Sequence, residues 1–169
     1  FQNLIKNILE YIELSIKSAN DTGGPFGCVI VKDDKIIGEG SNKVTFSNDP
    51  TAHAEIVAIR AACKKINTFN LSGCDLYASC EPCPMCLASI QAFRIDNIIY
   101  GAPDNRLGAI KTHMNLISVA KHPYHEVKSV IGGVREEECG DIMVRFFRER
   151  RELKKEEKKE MTMDVSEKG

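Results

Sequence analysis

Two short runs of this chain carry residue types that hold a metal ion and move protons around it. They are Thr51-Ala52-His53-Ala54-Glu55 and Glu81-Pro82-Cys83-Pro84-Met85-Cys86. One imidazole and two thiolates suit zinc, and three protein ligands leave the fourth tetrahedral position to water. Zinc lowers the pKa of such a water from about 16 to about 7. The pattern predicts one zinc ion per chain, held by His53, Cys83 and Cys86, with Glu55 moving the protons of a hydrolytic reaction.

Each ligand run stands where a helix is predicted to begin. Cys83 and Cys86 are three residues apart, so both sulfurs can face one metal from the first turn of a helix. Pro84 favours a helix start at this point, and a helix N-terminus stabilises thiolate. His53 follows Asp49-Pro50-Thr51, which is typical of a helix entry. We therefore expect the site to lie where two helix N-termini meet.

Two other interpretations of the cysteines remain open at this point. A C-x-x-C run alone also occurs in redox pairs and as half of a structural zinc ribbon, although the chain has no second C-x-x-C. Cys80 would close the site as a fourth ligand, but it precedes Cys83 by three residues across Pro82. A structural metal site is therefore the alternative to a catalytic one.

Length and composition indicate one ordinary globular domain. The chain has 169 residues, of which 43% are hydrophobic and 28% are charged. We expect a single zinc domain over residues 1–152 and a charged tail over 153–169 that is frayed or disordered. The net charge of −1 gives no global basic field, so nucleic acid would need a local patch, such as one built on Arg145, Arg148, Arg150 and Arg151.

Cysteine usage and hydropathy bear on the compartment. No apolar run is long enough to span a bilayer, so we expect no membrane partner. The seven cysteines are an odd number, and most of the five not assigned to zinc sit among apolar residues. These are expected to be reduced, packed thiols rather than disulfides, which predicts a cytoplasmic protein.

The pattern of apolar residues predicts an α/β fold. Apolar residues recur at helical spacing from Leu4 to Ile16, and a break follows at 20–25. Further along, the expected strands cover 27–32, 35–43, 74–79, 97–101 and 126–131, and the expected helices cover 52–66, 84–93, 113–120 and 136 to about 159, with disorder from Met161. This order implies a three-layer α-β-α architecture with a five-stranded mixed sheet.

The combination of H-x-E and P-C-x-x-C is a signature of zinc nucleobase deaminases, and the chain resembles the cytidine deaminase-like fold. Residues 23–102 are similar to bacterial guanine deaminases in the runs 23–27, 44–55 and 79–86. The resemblance implies zinc on His53, Cys83 and Cys86 and proton transfer by Glu55. It further implies substrate contacts by Phe26, Asn42 and Ala54. Alternatively, Asn42 shapes a turn and Phe26 belongs to the core.

The last third of the chain departs from the guanine deaminases. Where those proteins carry an acidic run, this chain has Lys111-Thr112-His113-Met114-Asn115. The runs 100–109 and 138–148 are instead similar to tRNA adenosine deaminases. Asp104 is then a candidate substrate contact, or simply a turn residue before Asn105.

The resemblance implies loss of an exocyclic amine as ammonia. Conversion of guanine to xanthine is the first hypothesis, and conversion of adenosine to inosine in tRNA is the second. A cytosine or nucleoside substrate is the third, and a catalytically silent subunit that binds RNA or a partner belongs to a different class. The resemblance also implies a homodimer with helices near the zinc at its interface.

Overall fold

The computed structural model describes residues 2–21, 24–119 and 121–167. Five strands form its sheet: β1 (Gly27–Lys32), β2 (Lys35–Ser41), β3 (Asp75–Cys80), β4 (Asn97–Ala102) and β5 (Ser129–Ile131). The helices are α1 (Gln2–Asp21), α2 (Val44–Ser47), α3 (Ala54–Ile66), α4 (Pro84–Ala92) and α5 (Glu136–Glu167), with a 3₁₀ turn at Leu116–Ser118.

The sheet is mixed, in the order β2-β1-β3-β4-β5. β1 is antiparallel to both of its neighbours, whereas β3, β4 and β5 are parallel. Side chains alternate between two cores, since Cys28 and Ile30 pack with α3 and α4 on one face, and Val29 and Val31 pack with α1 and α5 on the other. The predicted three-layer α-β-α architecture with a five-stranded mixed sheet is confirmed.

Several boundaries differ from those expected. β2 ends at Ser41 rather than near Lys43, because the Asn42 side chain accepts the Val44 N–H at 3.0 Å and starts α2, which the sequence analysis missed. The expected helix over 113–120 is wrong except for the 3₁₀ turn, and residue 120 lies outside the described part of the chain. The expected break at 20–25 likewise includes residues 22 and 23, which are not described.

The last helix is longer than expected. α5 runs to Glu167, so the expectation of disorder from Met161 does not match the helix, although residues 168 and 169 lie outside the described part. Side chains over 148–163 are exposed, and most are Glu, Lys or Arg, which favour helix without tertiary packing. Among the described residues, no helix is both long and apolar enough to cross a membrane.

Helix α3 packs directly on the backbone of β2. A Cβ atom built on Gly40 would lie 2.3 Å from the Ala54 carbonyl oxygen and 2.5 Å from the Ala58 nitrogen, and one on Gly38 would lie 2.3 Å from the Ala58 carbonyl oxygen. Only glycine permits this approach. The two glycines therefore allow α3, which begins immediately after His53, to lie directly against β2.

We expect Gly40→Ala to lower the free energy of unfolding by about 1–3 kcal/mol, because the new methyl group meets helix backbone that cannot rotate away. Denaturant unfolding measures the effect. Gly140→Ala is the matched control, since a Cβ there meets nothing within 4 Å and should raise the stability by about 0.5–1 kcal/mol. Equal unfolding midpoints for Gly40→Ala and the unmodified protein would contradict the packing argument.

Candidate active site

The candidate site lies at one edge of the sheet. Because β1 is antiparallel to both β2 and β3, and β4 is parallel to β3, the carboxyl ends of β2, β3 and β4 share an edge. His53 comes after β2, Cys83 after β3 and Asp104 after β4. Ligands of open α/β sheets bind at this edge, so the topology gathers the chemistry-bearing residues in one place.

A hydrogen-bonded turn brings His53 to the start of α3. The Asp49 carboxylate accepts the Thr51 N–H at 2.8 Å and the Thr51 hydroxyl at 2.6 Å. The Lys43 N–H donates to the Ala52 carbonyl oxygen at 2.8 Å and closes the loop. His53 is the N-cap of α3 with extended backbone angles, so the helix begins at Ala54 and not at Ala52 as expected.

The two cysteines occupy the first turn of α4. Cys83 is the N-cap residue and Pro84 follows at the first helical position, where a proline loses no hydrogen bond. The Leu87 N–H donates to the Cys83 carbonyl oxygen at 2.9 Å, and Cys86 is fully buried one turn along. As expected, two helix N-termini meet at the site.

The three candidate ligands form a compact triangle. The Nδ1 atom of His53 lies 3.6 Å from Cys83 Sγ and 3.6 Å from Cys86 Sγ. A tetrahedral zinc ion with Zn–S of about 2.3 Å and Zn–N of about 2.0–2.1 Å separates such atoms by about 3.6 Å. Among the described residues, the metal-ligand group contains only these three, so Cys80 does not close it. The donor set fits a zinc ion with one open position.

Electrostatics favour thiolate at this position. Hydrogen bonds from Cys86 and His53 lower the pKa of the Cys83 thiol to about 4 despite its partial burial. The hydrogen bond to Cys83 in turn raises the pKa of His53. Thiolate is the form that binds zinc, so Cys83 is prepared for the metal.

Glu55 lies beside the ligands without belonging to them. Its Oε2 atom is 3.4 Å from Cys86 Sγ, and the residue is only 8% exposed. Burial raises the pKa of the Glu55 carboxyl, and the charge of Cys83 raises it further. A carboxyl with a raised pKa next to a metal site is suited to accept and return a proton.

A cavity of about 200 Å³ opens next to the ligands. This volume is below the range of about 300–1,000 Å³ typical of drug-sized ligands and suits a single ring system. Every residue that the sequence analysis named for the site lines this cavity except Cys86, which is fully buried. The lining residues are Phe26, Asn42, His53, Ala54, Glu55, Cys80, Glu81, Cys83, Asp104, Arg106, Leu107 and Phe147.

Both interpretations of Asn42, Phe26 and Asp104 have support in the structure. Asn42 Oδ1 accepts the N–H of Val44, the first residue of α2, and within the described part of the chain the Asn42 Nδ2 has no hydrogen-bond partner. Phe26 packs against the core and still lines the cavity. The Asp104 Oδ1 atom accepts the N–H groups of Arg106 and Leu107 at 2.8 and 3.1 Å, so its carboxylate shapes the turn. Their substrate contacts stay predictions.

The sequence analysis missed four lining residues: Glu81, Arg106, Leu107 and Phe147. Arg106 and Phe147 lie within the runs similar to tRNA adenosine deaminases. The aromatic pair Phe146-Phe147 was a sequence signal that could have indicated a role for α5 at the site. The Arg106 guanidinium stacks over the Phe147 ring at 5.0 Å and joins the loop after β4 to α5. Burial alone would raise the pKa of Glu81, but hydrogen bonds from Thr112, Lys111 and Asp104 lower it below its usual value.

A second, larger depression continues from the cavity along α5, with a volume of about 660 Å³. We call it the basic groove, and its residues are Pro103, Asp104, Asn105, Arg106, Met143, Val144, Phe146, Phe147, Arg150, Arg151 and Lys154. It shares Asp104, Arg106 and Phe147 with the cavity, so the two are contiguous. The Arg150 guanidinium stacks over Phe146 at 5.5 Å.

Comparison with known proteins identifies one matching family model. The model of the cytidine and deoxycytidylate deaminase zinc-binding region matches residues 3–102. The match covers both candidate ligand runs.

Two kinds of relatives are similar in sequence. Guanine deaminase of Bacillus subtilis is 61% identical over 80 residues, which are 47% of this chain and 51% of that protein, so the chain spans about half the length of this relative. The tRNA-specific adenosine deaminase of Agrobacterium fabrum is 38% identical over 145 residues, covering 83% of this chain and 94% of that protein. Its Bacillus subtilis counterpart is 37% identical over 147 residues, covering 86% and 90%.

Solved structures show the same two likenesses. A chain from studies of A-to-I editing by tRNA deaminases at the wobble position has a TM-score of 0.72 and 36% identity, covering 79% of this chain and 98% of that chain. Guanine deaminase from Bacillus subtilis has a TM-score of 0.54 and 46% identity, covering 67% and 73%. The similarity to tRNA-specific proteins therefore extends over more of the fold.

Proposed function

Because this chain belongs to the cytidine deaminase-like family of zinc-dependent deaminases, we propose that it converts adenosine to inosine in a single-stranded loop of tRNA. In this reaction water adds at C6 of the purine, the bond between C6 and the exocyclic nitrogen breaks, and ammonia leaves. Inosine carries the new C6 oxygen. The relatives that cover most of the chain support this substrate.

The residues at the site have separate tasks in the proposed reaction. Zinc held by His53, Cys83 and Cys86 supplies an activated water when bound. Glu55 takes a proton from the attacking water and delivers protons to the purine ring nitrogen and the departing amine. The retained Glu55 favours an enzyme over a catalytically silent subunit.

The cavity supports binding of one flipped-out base. Phe26 offers an apolar surface to the ring, and the Nδ2 atom of Asn42 offers a donor to a purine acceptor. Ala54 adds no bulk at the start of α3, where the base approaches the ligands. Bases in single strands fit such a site because they are already unstacked.

The observation that carries the RNA proposal is the basic groove. Four cationic side chains, Arg106, Arg150, Arg151 and Lys154, line it against one carboxylate, and none of them forms an ion pair with a described carboxylate within 4.0 Å. Phosphates bind to Lys and Arg, and bases stack on Phe rings and guanidinium planes. A free base needs neither. Of the four arginines expected to form a local basic patch, Arg150 and Arg151 line the groove, whereas Arg145 and Arg148 do not.

Guanine is the second candidate, although it was the first hypothesis from the sequence. The identity of 61% over 80 residues to guanine deaminase favours it, and in that case the protein serves purine metabolism. Against it, Lys111, Thr112 and Asn115 line a different depression and leave the base cavity without the acidic run expected for guanine. Ammonia release from guanine, adenosine and an anticodon stem-loop discriminates between the two.

Assembly and compartment complete the proposal. The family resemblance supports a homodimer with the helices near zinc, α3 and α4, at its interface. All seven cysteines are free thiols and none is paired in the described part of the chain, which supports a reducing, cytoplasmic compartment.

The triple change Arg150→Ala, Arg151→Ala and Lys154→Ala should reduce kcat/KM for the stem-loop by about 100-fold at 0.1 M salt. The slope of log affinity against log salt is about −0.7 per neutralised phosphate on single strands. Losing three phosphate contacts should therefore make this slope less negative by about 2. Steady-state deamination across a salt series measures both quantities.

The matched control changes Arg148, Lys155 and Lys159 to alanine. It removes the same charge from the same helix, but these residues do not line the groove. Equal losses in the two triple variants would mean that only total charge matters. Efficient turnover of guanine that neither variant affects would favour the second candidate.

A further inference from the structure

Glu81 is a buried carboxylate that takes no part in the proposed proton transfers. It is 3% exposed and lies between the last residue of β3 and Pro82, two positions before Cys83. Among the described residues, no cationic side chain lies within ion-pair distance of it. A buried carboxylate is costly unless other groups satisfy it, so its partners identify its role.

Backbone amides of one segment satisfy this carboxylate. Oε1 accepts the N–H groups of Lys111 and Thr112 at 2.7 and 3.0 Å, and Oε2 accepts the N–H of Asp104 at 3.1 Å. The two oxygens thus bind opposite ends of the segment 104–112, which follows β4. The Ala109 N–H adds a further bond to the Pro82 carbonyl oxygen at 2.9 Å.

The segment closes tightly around the carboxylate. A Cβ atom on Gly108 would lie 2.5 Å from Glu81 Oε2 and 2.5 Å from the Asp104 carbonyl oxygen. The Gly108 N–H also donates to that carbonyl oxygen at 2.9 Å. The carboxylate therefore forms the centre around which the segment folds.

The same segment forms one wall of the base cavity. Asp104, Arg106 and Leu107 line it, and the Asp104 carboxylate holds the N–H groups of the other two. Arg106 then contacts Phe147 of α5. A short path of direct contacts thus leads from the Cys83 turn through Glu81 to the wall that faces the substrate.

We propose that Glu81 is a positioning residue that fixes the segment 104–112 at a set distance from the metal ligands and thereby sets how tightly the cavity holds its base. Its kinetic consequence rests on the proposed function. Its structural consequence, an ordered segment 104–112, can be measured without any substrate.

Glu81→Gln is the first test, because glutamine keeps the size but replaces one acceptor oxygen by a donor, so at least one of the three N–H groups loses its partner. We expect KM for the stem-loop to rise about tenfold while kcat and zinc content change little. Asp96→Asn is the control for loss of a buried carboxylate elsewhere: Asp96 is 5% exposed, accepts the Gly73 N–H at 3.1 Å, pairs with Lys128 Nζ at 2.6 Å and does not line the cavity. An equal rise of KM in both variants would overturn the proposal.

Tryptic cleavage is the second test and needs no activity. Arg106 and Lys111 are exposed residues within the fixed segment, so we expect Glu81→Gln to speed cleavage after both by about tenfold, and Asp96→Asn to leave it unchanged. In Gly108→Ala the added methyl group would meet the Glu81 carboxylate from within the segment. This variant should therefore also raise KM and speed tryptic cleavage. Unchanged cleavage in Glu81→Gln overturns the proposal, whereas absence of turnover in the unmodified protein overturns only the proposed function.

Discussion

Glu55→Gln is expected to reduce turnover by about 10²- to 10⁴-fold while zinc content stays at about one ion per chain. The loss follows because glutamine cannot accept or return a proton, and a positioned acid–base group contributes about this much to a rate. Zinc is retained because Glu55 lies outside the ligand group. Single-turnover kinetics with ammonia detection and metal analysis of the same sample measure the two quantities.

Stability separates this effect from misfolding. Glutamine has the same shape, and burial already raises the pKa of the Glu55 carboxyl, so removing the charge should not weaken the fold. Glu39→Gln, at an exposed position of β2, is the control and should keep full activity. Retained activity in Glu55→Gln would remove this residue from the mechanism and leave the zinc site without its proposed base.

Removal of zinc is expected to abolish turnover and to lower the melting temperature, because the ion binds the native triangle and stabilises it by mass action. Dialysis against a chelator, followed by titration with zinc, should restore both in parallel and saturate near one ion per chain. Cys86→Ser should bind zinc at least tenfold more weakly, since the alcohol is a poorer zinc ligand than the thiolate.

Cys80→Ser provides the comparison for the metal. Cys80 is buried and lines the cavity, but it lies outside the ligand triangle, so the variant should keep its zinc. Loss of zinc in Cys80→Ser would instead indicate a closed, structural site with four protein ligands. Full activity with less than a tenth of an ion per chain would refute a metal-dependent reaction.

Local sequence patterns correctly predicted the first strand, the start of the second and the position of the candidate site at two helix N-termini. The apolar run over Gly27–Lys32, predicted as a buried strand, and the turn at Asp33-Asp34 gave β1 and the start of β2 at the right residues. The ligand spacing likewise predicted the meeting of two helix N-termini. In both cases the deciding contacts lie between residues that are close along the chain or carry a strong chemical preference.

Other features depend on contacts that a single sequence does not display. β5 covers only Ser129–Ile131, because the strand pairs on one side only and remains exposed. Phe147 reaches the cavity from α5, far along the chain from Glu55, and Glu81 is bound by backbone amides, which a pattern of residue types does not reveal. The division into a domain over 1–152 and a charged tail over 153–169 stays a prediction.

The common position of the carboxyl ends of β2, β3 and β4 has a consequence for how such proteins diversify. The candidate metal ligands and Glu55 lie within residues 53–86, whereas the loop after β4 and helix α5 supply part of the cavity wall, so we expect a crossover near Ala102 to exchange that part of the wall without moving the candidate ligands. The graft must satisfy two conditions: it must present backbone amides to Glu81, and it must keep a glycine at position 108, where a Cβ would lie 2.5 Å from Glu81 Oε2. Amides are common to every sequence, so the glycine is the residue type that limits which segments can replace 104–112. The chain is similar both to guanine deaminase and to tRNA-specific adenosine deaminases, which is the combination that such an exchange would produce.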